Sequence, residues 1–227
     1  MTNKPEFAVQ GVNNMTELNF TVDAKEFLKA IKFVTPAISK DKTRANLGVI
    51  HFNKKSGQPL SLIATDGHRL HFMPITTTLD GQENIPEFSF SLTPLIISSI
   101  AAYIKENKEN LEENKLTFFL DLKEETISIN NTTLLFKFND TTFPKFDHLI
   151  APTEDLIPAK LEYYNAVYLS EAAAAFAGLG KKIYISLFFN KNDTTGLNAV
   201  YIKASPFGLA STDFNLDAII IILPLKN

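Results

Sequence analysis

Asp66, Gly67, His68 and Arg69 stand in consecutive positions, and His71 follows closely. A carboxylate and two imidazoles so near one another offer two kinds of chemistry: proton transfer as an acid/base pair, or ligation of a metal ion. On an extended strand, however, residues 68 and 71 face opposite sides. His51 and His148 are isolated, and no second carboxylate–histidine cluster occurs. The chain has no phosphate-binding Gly-Lys-Ser/Thr loop, no Gly-x-Ser-x-Gly and no His-Glu-x-x-His. The expectation is a protein with no catalytic residues, no metal and no cofactor.

Two readings of the corner are then left. Ile63, Ala64 and Thr65 read as the end of a buried strand, and Asp66-Gly67 as a sharp turn in which glycine takes up positive φ. Leu70, Phe72 and Met73 resume an apolar character, so a second strand leaves the corner. In the first reading this is a solvated hairpin turn. In the second it is the rim of a binding site, presenting Thr65, His68 and Arg69 beside exposed apolar surface at Leu70.

The elements that hold this corner recur along the chain. Residues 18–22 alternate apolar and polar as a half-buried strand does, and Asp23 is placed to cap a helix. Ala24, Phe27, Leu28, Ile31 and Val34 give that helix one apolar face, and Pro36 ends it. Strands are expected at 48–53, 60–65 and 69–75. The order then repeats. A strand at 88–92 leads to Thr93-Pro94 opening a helix patterned on Leu95, Ile96, Ser99, Ile100, Tyr103 and Ile104. Strands follow at 115–122, 126–129 and 133–138. In a third copy, a short strand at 164–167 precedes an alanine-rich helix capped by Ser170 and ended by Gly178. Strands are expected at 183–189, 199–204, 208–212 and 218–223. The period is on the order of 70 residues. One strand, one helix and several antiparallel strands, three times over, predict an α+β fold with helices on one face of the sheets.

The totals bound the function. The 227 residues can build real cores, and 45% hydrophobic with 21% charged residues is ordinary globular composition. A net charge of −3 carries no global basic field, so contact with nucleic acid needs a local patch. With no cysteine there are no disulfides or thiolate ligands, which suits a reducing cytoplasm. Residues 1–14 have no apolar segment of the secretory kind, and the apolar run at 218–223 is too short to span a bilayer. A cytoplasmic protein with no membrane partner is expected.

The segment Ile63-Ala64-Thr65-Asp66-Gly67-His68-Arg69-Leu70 resembles the signature of the bacterial sliding clamp, the beta subunit of DNA polymerase III. Phe143-Pro144-Lys145-Phe146, followed by Leu149, Ile150 and Pro152, is similar to the segment that ends the clamp's middle domain. Ile221-Ile222-Leu223-Pro224-Leu225-Lys226 is similar to its closing tail. The repeat matches the clamp's own internal repeat. By this resemblance residues 1–16 are a flexible leader and 17–150 one complete clamp-like domain of two half-repeats. Residues 151–159 are a linker, and 160–227 are one half-repeat of the last domain. The family's first domain and the first half of its third have no counterpart, and family rings close through those domains.

The resemblance implies a pocket for a short linear peptide of a DNA polymerase or another replication protein. It would use Thr65, Gly67, His68, Arg69 and Leu70 from the corner, with Leu47 beside them. Pro144, His148 and Leu149 would form a second wall, and Ile222, Leu223, Pro224 and Leu225 a third. His148 stands where the family pattern has arginine. The resemblance also implies sequence-independent contact with duplex DNA along the helices. Lys25, Lys29 and Lys32 make a stripe opposite the apolar face of the first helix, with Lys40, Lys42 and Arg44 as a loop patch. Taken alone, that stripe reads rather as a solvated lysine face. Two functions are implied. One is a sliding-clamp-like processivity factor for DNA replication, working as a homo-oligomeric ring. The other is a non-encircling clamp-like module that competes for or modulates replication and repair proteins.

Overall fold

The computed structural model describes residues 17–78, 87–107, 109, 111, 114–121, 123–124, 126–130, 132–137, 142–150, 153–158, 165–179, 184–193, 199–205 and 218–223. The leader at 1–16, the strand expected at 208–212, and Pro224 and Leu225 lie outside the described residues.

Strand β1 (Glu17–Asp23) runs into helix α1 (Ala24–Val34), where the Asp23 carboxylate accepts the Glu26 N–H at 2.8 Å. That bond satisfies one of the free donors of the first turn. A short 3-10 turn, Thr35–Ala37, follows α1 and carries Pro36. Strands β2 (Ile50–Lys54), β3 (Leu60–Thr65) and β4 (Arg69–Ile75) form an antiparallel meander. After β4 the chain bends at Thr76, whose N–H reaches the Glu26 carboxylate, and β5 (Thr77–Thr78) joins the other sheet. Strand β6 (Phe88–Leu92), helix α2 (Pro94–Glu106) and strands β7 (Lys115–Asp121), β8 (Thr126–Ile129) and β9 (Thr132–Lys137) repeat the order. The third unit comprises β10 (Leu156–Pro158), α3 (Ala166–Ala177), β11 (Tyr184–Asn190), β12 (Val200–Ser205) and β13 (Ile219–Ile222).

These strands make two antiparallel sheets. One has the order β5-β1-β7-β8-β9 and the other β10-β11-β12-β13-β4-β3-β2-β6. Each of the first two half-repeats therefore lends its first strand to the other's sheet. β1 pairs with β7, and β6 pairs with β2. The third unit extends the larger sheet through β13, which lies against β4 with Ile221 opposite Leu70 and Ile222 opposite Arg69.

The main core lies between the sheets and the helices. Phe20 stacks on Phe118 at 4.9 Å, Phe52 on Phe90 at 4.7 Å, and Phe33 meets Phe176 edge-on at 5.0 Å. Side chains alternate across the larger sheet, as the pleat requires. Ile50, Phe52, Leu60, Leu62, Ala64, Ile220 and Ile222 enter the helix-side core. Val49, Ile63, Leu70, Ala199, Tyr201, Ile219 and Ile221 face outward and form a second cluster with Phe143 and Phe146.

Four local expectations are corrected. Asn165, not Ser170, caps α3: its side-chain oxygen accepts the Val167 N–H at 2.9 Å, and Ser170 lies within the helix. Val167 is accordingly helical, not the end of a strand. Leu95 lies on the open side of α2, which buries Ile97 together with the expected Ile100 and Ile104. At 153–158, within the expected linker, the chain forms a 3-10 turn and strand β10, which pairs with β11.

Candidate functional site

Gly67 adopts φ +89°, and a Cβ there would come within 3.1 Å of Arg44 Nη1. Both the conformation and the close approach favour glycine. Asp66 Oδ1 accepts the N–H groups of His68 at 2.9 Å and Arg69 at 3.1 Å, so one carboxylate oxygen folds the turn. Thr65 Oγ1 donates to the Arg69 carbonyl at 2.6 Å and accepts from Gly67 N at 3.1 Å. Thr65, Arg69 and Leu70 are buried, while Gly67 and His68 are exposed. The corner thus presents only its tip. Its flanks are closed by β13, whose pairing with β4 unites stretches far apart in the chain.

Arg69 closes the helix side. Its Nε donates to Asp66 Oδ2 at 3.0 Å, and its two terminal nitrogens donate to Glu171 of α3 and to the Pro36 carbonyl. The guanidinium also lies over the Tyr168 ring, 4.6 Å from its centroid, and that ring is 6.5 Å from His68. A planar, multiply bonding cation serves such a junction of loop, helix end and aromatic face. The first turns of α3 therefore border the corner. Tyr168 and Glu171 are site residues that sequence reasoning missed, because that helix reads as an undistinguished alanine-rich segment.

The outer side is apolar. The N–H of Leu223 donates to the His68 carbonyl at 2.8 Å, which ties the end of β13 to the corner. Leu70, Leu149 and Leu223 share the outer cluster, in which Leu149, Ile150, Phe72 and Leu223 are only partly buried. Ile222 points the other way, into the helix-side core. Pro144 is half-buried and His148 exposed. Leu47 is buried, and Arg44 donates to the Asp66 carbonyl at 3.4 Å, so this loop cation touches the corner.

The histidines considered for proton transfer are separated. His71 is fully buried in the helix-side core, and its Nδ1 donates to the Phe33 carbonyl at 2.7 Å. Burial pushes its imidazole down to about 4, with the Phe33 carbonyl acting in the opposite direction. Among the described residues its Nε2 has no hydrogen-bond partner. Among the described residues no group of three or more His, Asp or Glu side chains is arranged to hold a metal ion. On the helix layer Lys25, Lys29 and Lys32 are all exposed along α1. A Cβ on Gly178 would lie 3.6 Å from Lys32 Cε, so this lysine runs beside the C-terminal turn of α3. Lys40 and Lys42 are exposed in the loop before the corner. No described helix is long and apolar enough to cross a membrane.

No protein-family profile and no curated protein sequence matches the chain. Solved structures do. The DNA polymerase III beta subunit of Thermotoga maritima superposes with a TM-score of 0.62 at 15% identity, over 100% of this chain and 70% of that one. A DNA polymerase sliding clamp from Pseudomonas aeruginosa gives 0.61 at 15% identity, covering 92% of this chain and 66% of that one. A sliding clamp of the same organism bound to griselimycin gives 0.62 at 14% identity, covering 95% and 67%. This chain therefore spans about two thirds of their length. The described sheets and helices have the fold of the bacterial DNA polymerase III beta sliding clamps.

Proposed function

We propose that this protein is a sliding-clamp-like processivity factor of DNA replication. It grips a short linear peptide of a polymerase or another replication protein in the apolar notch beside the corner. One observation carries the reading: the Leu223 N–H bond to the His68 carbonyl, with Leu70, Leu149 and Leu223 in one apolar cluster at that junction. Partly buried aliphatic side chains rimmed by the exposed His68 suit a peptide with one or two apolar anchors. A few such anchors carry most of the energy of binding. Exposed Lys25, Lys29 and Lys32 on α1 support sequence-independent contact with duplex DNA through its phosphates. Encircling DNA would require several copies, and light scattering reads that mass.

The test uses a fluorescein-labelled hexapeptide with leucine and phenylalanine anchors, read by anisotropy. Leu149→Ser with Leu223→Ser, both at half-buried positions, is expected to weaken binding roughly 30-fold or more, about 2 kcal/mol at a hot spot. In the same preparation, changing the three α1 lysines to glutamate should flatten the salt dependence of duplex retention. A parent protein that binds neither peptide nor DNA at low salt sinks the proposal.

A further inference from the structure

The geometry points to His51 as a positioning residue for the wall of the peptide notch at 143–149, a role that rests on the peptide reading above. This wall has little of its own to hold it. The backbone bonds described within it are turn bonds, Leu149 N–H to the Phe146 carbonyl at 2.8 Å and Ile150 N–H to the Asp147 carbonyl at 3.1 Å. None of its described backbone groups joins a sheet ladder. The Lys55–Asp147 ion pair at 2.6 Å is solvent-exposed and adds little. Side chains must therefore dock the segment, and the ring shared by its two phenylalanines is that of His51. Phe143 stacks on it with centroids 4.5 Å apart and planes 1° from parallel, while Phe146 meets it edge-on at 6.0 Å.

The imidazole is itself oriented. It projects from β2 opposite Ser91 of β6, and its Nδ1 lies 3.0 Å from the buried Ser91 hydroxyl. The ring is thus a plate fixed by two strands, onto which the wall is laid. Offset stacking of this kind contributes beyond the area it buries. Burial keeps the ring neutral, and Asp147, paired with Lys55, is the charged group that opposes that shift. Since Phe146 and Leu149 belong to one turn, a wall released at His51 also moves Leu149 away from Leu70 and Leu223.

The experiment compares the parent with His51→Ala and His51→Phe in the full chain, by amide hydrogen exchange and by anisotropy with the labelled hexapeptide. His51→Ala is expected to speed exchange at Leu149 and Ile150 while β3 and α1 keep parent rates. It should weaken the peptide about tenfold, as for a wall in place about one-tenth of the time. His51→Phe, which keeps the plate without the ring nitrogens, should restore both. Parent-like exchange at 149 and 150 in His51→Ala, failure of His51→Phe to restore it, or acceleration throughout β3 and α1 would each overturn the assignment. If the parent binds no peptide, the peptide reading falls, and the exchange data alone decide whether His51 holds the segment.

Discussion

The two faces of the larger sheet bury similar residues in different ways. On the helix side α1 and α3 pack on the strands, the core is continuous with that of the smaller sheet, and Phe27, Ile50, Phe52 and Leu62 are fully enclosed. On the outer side the cover includes an irregular segment held through Phe143 and Phe146, and Leu149, Ile150 and Leu223 stay partly open. The helices satisfy their own backbone groups and add apolar side chains at every turn. An irregular cover offers fewer bonds per residue and opens at lower cost. The two faces divide the labour: one fixes the architecture, and the other keeps apolar surface within reach.

The largest effects are expected from matched cavities on the two faces. Phe52 is fully buried and stacks on Phe90 at 4.7 Å, so Phe52→Ala should cost about 3–5 kcal/mol in urea denaturation. Phe146→Ala removes the same atoms from a segment that can detach alone. It should cost no more than about 1–2 kcal/mol, with the unfolding slope unchanged. Equal losses from the two variants would mean that the faces are equally essential and that the division does not exist.

A smaller effect separates the buried His71 from the half-buried His51. The folded His71 titrates at about 4, below its ordinary 6.5, because burial disfavours the cation. The unfolded chain therefore takes up a proton near 6.5 while the folded chain does not. His71 stabilises fully above that range and loses its contribution as the pH falls from about 6.5 toward about 4, by roughly 3 kcal/mol. His71→Gln, which can still donate to the Phe33 carbonyl, should flatten stability against pH in that window. His51 is depressed to about 4 as well, but it can gain its proton when the outer segment opens. His51→Phe should therefore flatten the curve less. Parallel curves for the parent and His71→Gln would remove this distinction.

Much of this architecture is legible in the residues because it is local. β3, β4, β6 and β8 begin and end where the sequence pattern places them, since each is an apolar or alternating run bounded by turn residues. Asp23 announces α1 by its chemistry. What escapes the sequence is decided by contacts between distant segments. Arg69 and Leu70 read as presented residues and are buried because β13 lies along β4, α3 closes over Arg69 and the outer cluster closes over Leu70. Ile222 and Leu223 read as one wall, yet alternation sends Ile222 to the helix side. Tyr168 and Glu171 have no local signal until α3 is docked against the corner.

The smallest effect is expected on a third surface, the far side of the helix layer. In α2 the sequence pattern includes Leu95, but the helix packs through Ile97, Ile100 and Ile104 and leaves Leu95 78% exposed in its first turn. Because Pro94 opens the helix, the backbone N–H of Leu95 needs no intrahelical partner, and its side chain touches little. Leu95→Gln should therefore change stability by no more than about 0.5 kcal/mol in urea denaturation. Ile97→Ala, two positions away and buried, should cost about 2–4 kcal/mol. If Leu95→Gln instead destabilised by more than about 1 kcal/mol, something would have to cover this face in solution. The helix layer would then have two sealed sides, and the contrast with the half-open outer face would be stronger still.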